Sequence, residues 1–190
     1  MPHHAPLTVE SLRQLDATDR TRALLDRKEG QWFDRKSNRL GAKALGDAMV
    51  SFANGGGGVI AIGVYNGKIE GVDGQAKQIN EWQQAAANFT QPPIPHVLEQ
   101  LACIDETGAR KLVAVVEVFG DSKYYENVRG EAFLRMGDET RRLTPTQAQD
   151  LRLERTTGVF EATAISSTMS KDDLDSGKVT AYARTVGHTG

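Results

Sequence analysis

Val50-Ser-Phe-Ala-Asn54-Gly-Gly-Gly-Gly58-Val-Ile-Ala-Ile-Gly-Val64-Tyr-Asn66-Gly67 is the stretch on which the fold turns. Upstream of it and running into it, Leu45, Ala48, Met49, Phe52 and Ala53 recur at i, i+3, i+4, i+7 and i+8, one apolar stripe at helical spacing. Asn54 and Gly55 stop that helix. Residues 59–64 then form a short apolar run rich in β-branched residues, which predicts a buried strand. Asn66-Gly67 predicts a two-residue turn that pairs Tyr65 with Lys68, Val64 with Ile69 and Gly63 with Glu70, and puts Glu70 on the sheet face of Tyr65. The uncharged run from Ala48 to Gly67 is long enough to span a bilayer, but it holds six glycines, two asparagines and a serine. Helix end, turn, strand and turn describe it better than a membrane span.

Working back towards the N-terminus, Thr18 is the expected cap of a short helix ending near Glu29-Gly30, and residues 31–37 alternate like a strand. Trp32, Asp34 and Lys36 would share one face of it, Phe33 and Arg35 the other. Working forward, Ile79, Trp82, Ala86 and Phe89 predict one amphipathic helix closed before Pro92-Pro93. Residues 98–104 and 111–118 predict a hairpin with a longer loop, and residues 132–136 a further strand. Thr144-Pro145-Thr146-Gln147 is a complete helix start, with an N-cap, a proline at the first position and a glutamine to close the box. That helix is expected to reach about residue 155. Residues 156–169, rich in Thr and Ser, suggest a linker, followed by a short acidic helical segment over 171–184.

This order of elements predicts an α+β fold, a mixed sheet with packed helices. Residues 1–21 form a helical lead-in, 22–155 one domain, and 156–190 a linker and short helical tail expected to lead into a further C-terminal domain. Within 190 residues, 39% of them hydrophobic, one sizeable core can be buried. Lys and Arg number 23 against 25 Asp and Glu, for a net charge of −2, so any surface for a polyanion must be local. The single cysteine, Cys103, excludes an intramolecular disulfide and reads as a core thiol. No basic segment followed by an apolar one opens the chain, so the expected location is the cytoplasm.

A local basic surface is present. Between residues 27 and 43 stand Arg27, Lys28, Arg35, Lys36, Arg39 and Lys43 against Glu29 and Asp34 alone, a net charge of +4 in a chain of net charge −2. Cations clustered in this way are the footprint of phosphate-backbone binding, although a solvated basic face has the same composition. Glu29, Asp34 and Lys36 form a Glu-x4-Asp-x-Lys cluster. Two carboxylates with a lysine can hold a divalent ion and stabilise charge during phosphodiester cleavage, and they can equally be an ordinary solvated pair. The glycines at 55–58 do not make a phosphate loop, because they follow a helix and precede a strand, with no Gly-Lys-Ser/Thr after them. The four histidines have no metal-ligand spacing.

Four blocks together resemble the AlbA_2 family, the bacterial relatives of the Schlafen core: Glu29-Gly-Gln-Trp-Phe-Asp34-Arg-Lys36, the stretch from Val50 to Val64, Pro92-Pro93-Ile94, and Phe133-Leu-Arg135-Met-Gly137-Asp-Glu-Thr140. They occur in the family's order and span roughly residues 22–155. The resemblance implies an α+β DNA-binding domain of the kind found at the N-terminus of bacterial transcriptional regulators. It implies DNA or RNA as partner; a homodimer is a separate expectation, as one source of sequence specificity. In Schlafen proteins the core cleaves RNA with two glutamates, an aspartate and a divalent metal, Mg or Mn. Glu29 and Asp34 match the first two acids and Lys36 the lysine that follows. Tyr65 and Asn66 stand where the third acid is expected, and Arg35 replaces the usual aromatic.

The reading that results is nucleic-acid binding, DNA preferred, by Arg35, Lys36, Arg39, Lys43, Arg135, Arg141 and Arg142, with no cofactor. Its alternatives are a metal-dependent endonuclease acting on RNA or single-stranded DNA through Glu29, Asp34 and Lys36, with Glu70 a conceivable third acid, and an assembly domain that binds no nucleic acid.

Overall fold

The computed structural model describes residues 7–168. Among the described residues two short helices come first, α1 (Val9–Arg13) and α2 (Ala17–Asp26). Asp16 caps α2 by accepting from the Asp19 amide at 2.8 Å, so the cap lies two residues before the expected Thr18. Next come β1 (Phe33–Lys36), α3 (Ala42–Asn54), β2 (Gly57–Ile62), and a small hairpin of β3 (Val64–Tyr65) and β4 (Lys68–Ile69). The expected apolar helix over 79–89 is two helices, α4 (Ala76–Gln83) and α5 (Ala85–Phe89), which break at Gln84. The chain continues through β5 (Thr90–Gln91), β6 (His96–Ile104), β7 (Arg110–Phe119), β8 (Glu126–Asn127), β9 (Phe133–Met136), β10 (Glu139–Arg142) and α6 (Pro145–Thr168).

The main sheet has the order β1-β2-β7-β6. β1 and β2 are parallel, which requires a crossover, and α3 supplies it. The other two pairings are antiparallel. Alternation along the strands divides the core between the two faces. Ile60, Ile62, Ala114, Val116 and Val118 pack with the stripe of α3 and with Ile79, Trp82 and Ala86 of α4 and α5. Phe33, Val59, Ala61, Val113 and Val115 pack with Val9, Leu12 and Leu24 of α1 and α2. Cys103 is buried on this second side, where desolvation pushes its thiol above the usual range. The result is the α+β architecture that the order of elements predicts.

The glycine run makes the helix-to-strand turn. Gly56, Gly57 and Gly58 have φ of +99°, +96° and +145°, a region that L side chains rarely enter. A Cβ at Gly57 would lie 2.7 Å from the Gly120 nitrogen and 2.8 Å from the Val118 carbonyl. Backbone thus passes backbone where β2 starts. The Asn66-Gly67 turn has the expected register, Val64 opposite Ile69 and Tyr65 opposite Lys68.

The Thr144 box is present: Thr144 Oγ1 accepts from the Gln147 amide, and Gln147 Oε1 accepts from the Thr144 amide at 3.0 Å. The helix it starts does not stop near residue 155 but continues to Thr168, through most of the stretch that composition suggests as a linker. Thr and Ser lower helix propensity only slightly, and Thr/Ser richness alone does not end a helix. The acidic segment expected over 171–184 lies outside the described residues. No helix among the described residues is long and apolar enough to cross a membrane.

A candidate nucleic-acid interface at the outer edge of the sheet

β1 is an edge strand, and its outward amide at Arg35 is the centre of the candidate site. That N–H donates both to Glu29 Oε1 at 3.2 Å and to Asp34 Oδ1 at 3.0 Å. The two acids of the Glu-x4-Asp cluster therefore converge on one hydrogen. Glu29 also faces the Arg35 guanidinium, Nε to Oε1 3.4 Å, and Arg35 Nη1 donates to the Leu25 carbonyl at the end of α2. Asp34 and Lys36 are neighbours, as the period of the strand predicts, with Nζ 2.7 Å from Oδ2.

Asp34 has a second cation that the sequence does not announce. Arg135, on β9, places Nη1 3.3 Å from the same Oδ2 and also donates to the carbonyls of Gly30 and Phe33. Its guanidinium lies 5.0 Å from the centre of the Phe52 ring. Asp34 is 2% exposed and Arg135 3%. Of the residues expected to touch phosphate, Arg135 is thus corrected to an internal counter-ion. Its charge is spent on a buried carboxylate, which would be costly to leave alone.

Lys36 and Arg35, with Glu29, Val64, Tyr65, Asn66 and Gly67, line an open cleft of about 380 Å³ between β1 and the β3–β4 turn. Arg39 adjoins it through the loop that follows β1, its Nη2 3.4 Å from Glu70. Lys43, in the first turn of α3, is exposed and has no ion pair among the described residues. Arg141 and Arg142 lie on β10, all of whose residues are exposed, and among the described residues no hydrogen bond or ion pair joins them to the β1 cluster. Arg141 pairs with Glu139 at 3.1 Å and Arg142 with Glu131 at 2.9 Å. Glu131 is held below the usual carboxylate range by the Asn127 amide, with Arg129 and Arg142 adding to it. The seven expected contacts therefore divide into Arg35 and Lys36 in the cleft wall, Arg39 on the loop that follows and Lys43 at the start of α3, a separate pair on β10, and one buried residue.

The Schlafen resemblance implies a divalent metal, and the donors present do not fit one. Such an ion needs about six oxygen ligands. Among the described residues no three of His, Cys, Asp and Glu are grouped to hold it. Asp34 is already neutralised by Lys36 and Arg135. Glu70 is turned elsewhere: its carboxylate accepts from Ser37 Oγ at 2.9 Å and the Asn38 amide at 3.0 Å, bracing the loop between β1 and α3. Tyr65, the residue that reading by motif registers only as a missing acid, is in fact part of the cleft wall. The Asn66-Gly67 turn was the signal that fixes its place.

The Schlafen, AlbA_2 family model matches residues 25–144, and the chain belongs to this family. Among solved structures the chain is similar to the DIP2311 protein from Corynebacterium diphtheriae, at 20% identity and a TM-score of 0.47. That match covers 75% of this chain and 27% of the other. No curated protein matches at a significant level.

Proposed function

We propose that this domain binds nucleic acid in the cytoplasm, DNA in preference, as part of transcription control. Arg35, Lys36, Arg39 and Lys43 contact the phosphate backbone, and Arg141 and Arg142 extend that contact where the polymer reaches β10. The observation that carries the reading is the run of four cations over residues 35–43, two of them in the cleft wall, with Lys43 exposed and without an ion pair among the described residues. The acids paired with these cations, Glu29, Asp34 and Glu70, number three against four, and Arg135 also neutralises Asp34. Phosphate contacts set register on the polymer and do not read sequence. Sequence selection would then come from a second copy of the chain in a homodimer, or from a partner.

A titration of labelled DNA and RNA 20-mers at 50 and 200 mM salt tests this. The four contacts of Arg35, Lys36, Arg39 and Lys43 predict affinity falling roughly 150-fold between the two conditions for a duplex and about 50-fold for a single strand. Lys43→Ala should weaken binding on every sequence and lower the salt slope by about one. Absent binding, or affinity indifferent to salt, refutes the proposal. A parallel incubation with Mn²⁺ examines cleavage, where the donor set predicts intact polymer.

A further inference from the structure

We propose that the cleft between β1 and the β3–β4 turn takes one unpaired nucleobase, stacked on Tyr65, so that the bound polymer is single-stranded at this point. This rests on the nucleic-acid reading above and adds to it the form of the ligand.

The lining chemistry argues for a base in place of a phosphate. Tyr65 is 46% exposed, an aromatic face open to a cleft and not packed into the core. Every base has a π-face that stacks on such a ring, whatever the sequence. The Glu29 carboxylate is also in the wall, with only one oxygen engaged among the described residues, by the Arg35 amide and guanidinium. A carboxylate repels a phosphate but accepts from the ring and exocyclic N–H groups of a base. The Asn66 side chain, at the turn, adds an amide to the same wall. At about 380 Å³ the cleft is the size of a small-molecule pocket and far larger than an inorganic ion needs.

The cations lie where the backbone would then run. Lys36 is at the cleft and Arg39 at the adjoining loop, so the phosphate flanking a stacked base meets positive charge as the strand leaves. A base inside a duplex is already stacked and paired and cannot enter without being extruded, at a cost of a few kcal/mol. An unpaired strand enters freely.

The experiment compares a labelled single-stranded 12-mer with the same sequence as a blunt duplex, at one salt concentration, for the unaltered chain, Tyr65→Phe and Tyr65→Ala. Expected are preference for the single strand, affinity within twofold for Tyr65→Phe, and about tenfold weaker single-strand binding for Tyr65→Ala with duplex binding unchanged. Circular dichroism verifies that each variant is folded. In the unaltered chain, a 5-bromodeoxyuridine 12-mer should cross-link under ultraviolet light to the peptide that contains Tyr65. If Tyr65→Ala binds single strands as the unaltered chain does, or all cross-links fall on other peptides, the base subsite is refuted and phosphate binding stands. If the unaltered chain binds neither polymer, the nucleic-acid reading fails and the subsite with it.

Discussion

Removing Arg135 separates two roles that one guanidinium could have. In Arg135→Met the Asp34 carboxylate, 2% exposed, keeps Lys36 at 2.7 Å and the Arg35 amide but loses its buried counter-ion. Breaking a buried pair on one side costs about 3–5 kcal/mol, and the retained lysine places this case near the lower end. At roughly 2–4 °C per kcal/mol for a chain of this size, the melting temperature should fall by about 6–12 °C. Asp34→Asn takes away the charge that needs neutralising, so the double variant should be more stable than the two single losses predict, with a coupling of about 1.5 kcal/mol or more. Urea titrations of the four proteins measure it. A loss below about 1 kcal/mol for Arg135→Met, or strict additivity with Asp34→Asn, would refute the internal role. Nucleic-acid binding gives the complementary readout: below the melting temperature Arg135→Met should keep the salt slope unchanged, because the side chain is 3% exposed. A slope reduced by one would instead return Arg135 to the phosphate-contacting set.

Gly57→Ala should cost at least about 2 kcal/mol in a thermal melt, since it combines a φ of +96° with a Cβ 2.7 Å from the Gly120 backbone; an unchanged melting temperature would refute that close approach. Tyr125 donates to Asp121 at 2.7 Å, and its hydroxyl is pushed well above the usual range by burial and then by that carboxylate. Because the folded state holds the proton more tightly, Tyr125 contributes stability that is present below about pH 10 and lost as pH rises beyond it. Tyr125→Phe should flatten the decline in stability between pH 9 and 11, and an identical decline in both proteins would contradict the assignment.

What the sequence discloses is mostly what local physics decides. The stripe of α3, the register at Asn66-Gly67 and the Thr144–Gln147 box depend on residues within a turn or two of one another, and each is found as read. Elements set by distant contacts are not legible in this way. β10 is four exposed polar residues with no apolar period, ordered by pairing with β9. The break at Gln84 hides beneath an apolar stripe that continues across it, with Trp82 and Ala86 both buried. Within the site, the adjacency of Asp34 and Lys36 follows from strand period alone. Arg135 has the composition of a surface residue, and only the fold brings it to an acid 101 positions away.

Asn54 has a consequence for the order in which the chain can assemble. Its side-chain amide donates to the carbonyls of Tyr125 and Phe133 and accepts from the Tyr125 amide, while Arg155 donates to its main-chain carbonyl. Between residues 125 and 155 the only fully buried apolar side chains are Tyr125 and Ala132. That segment has little hydrophobic drive of its own and is held chiefly by polar bonds to groups that α3 and β1 must already have in place. The sheet with α3 is therefore expected to act as the template, with residues 125–155 docking onto it afterwards. In native-state hydrogen exchange the same segment should open first, well below the free energy of unfolding the sheet.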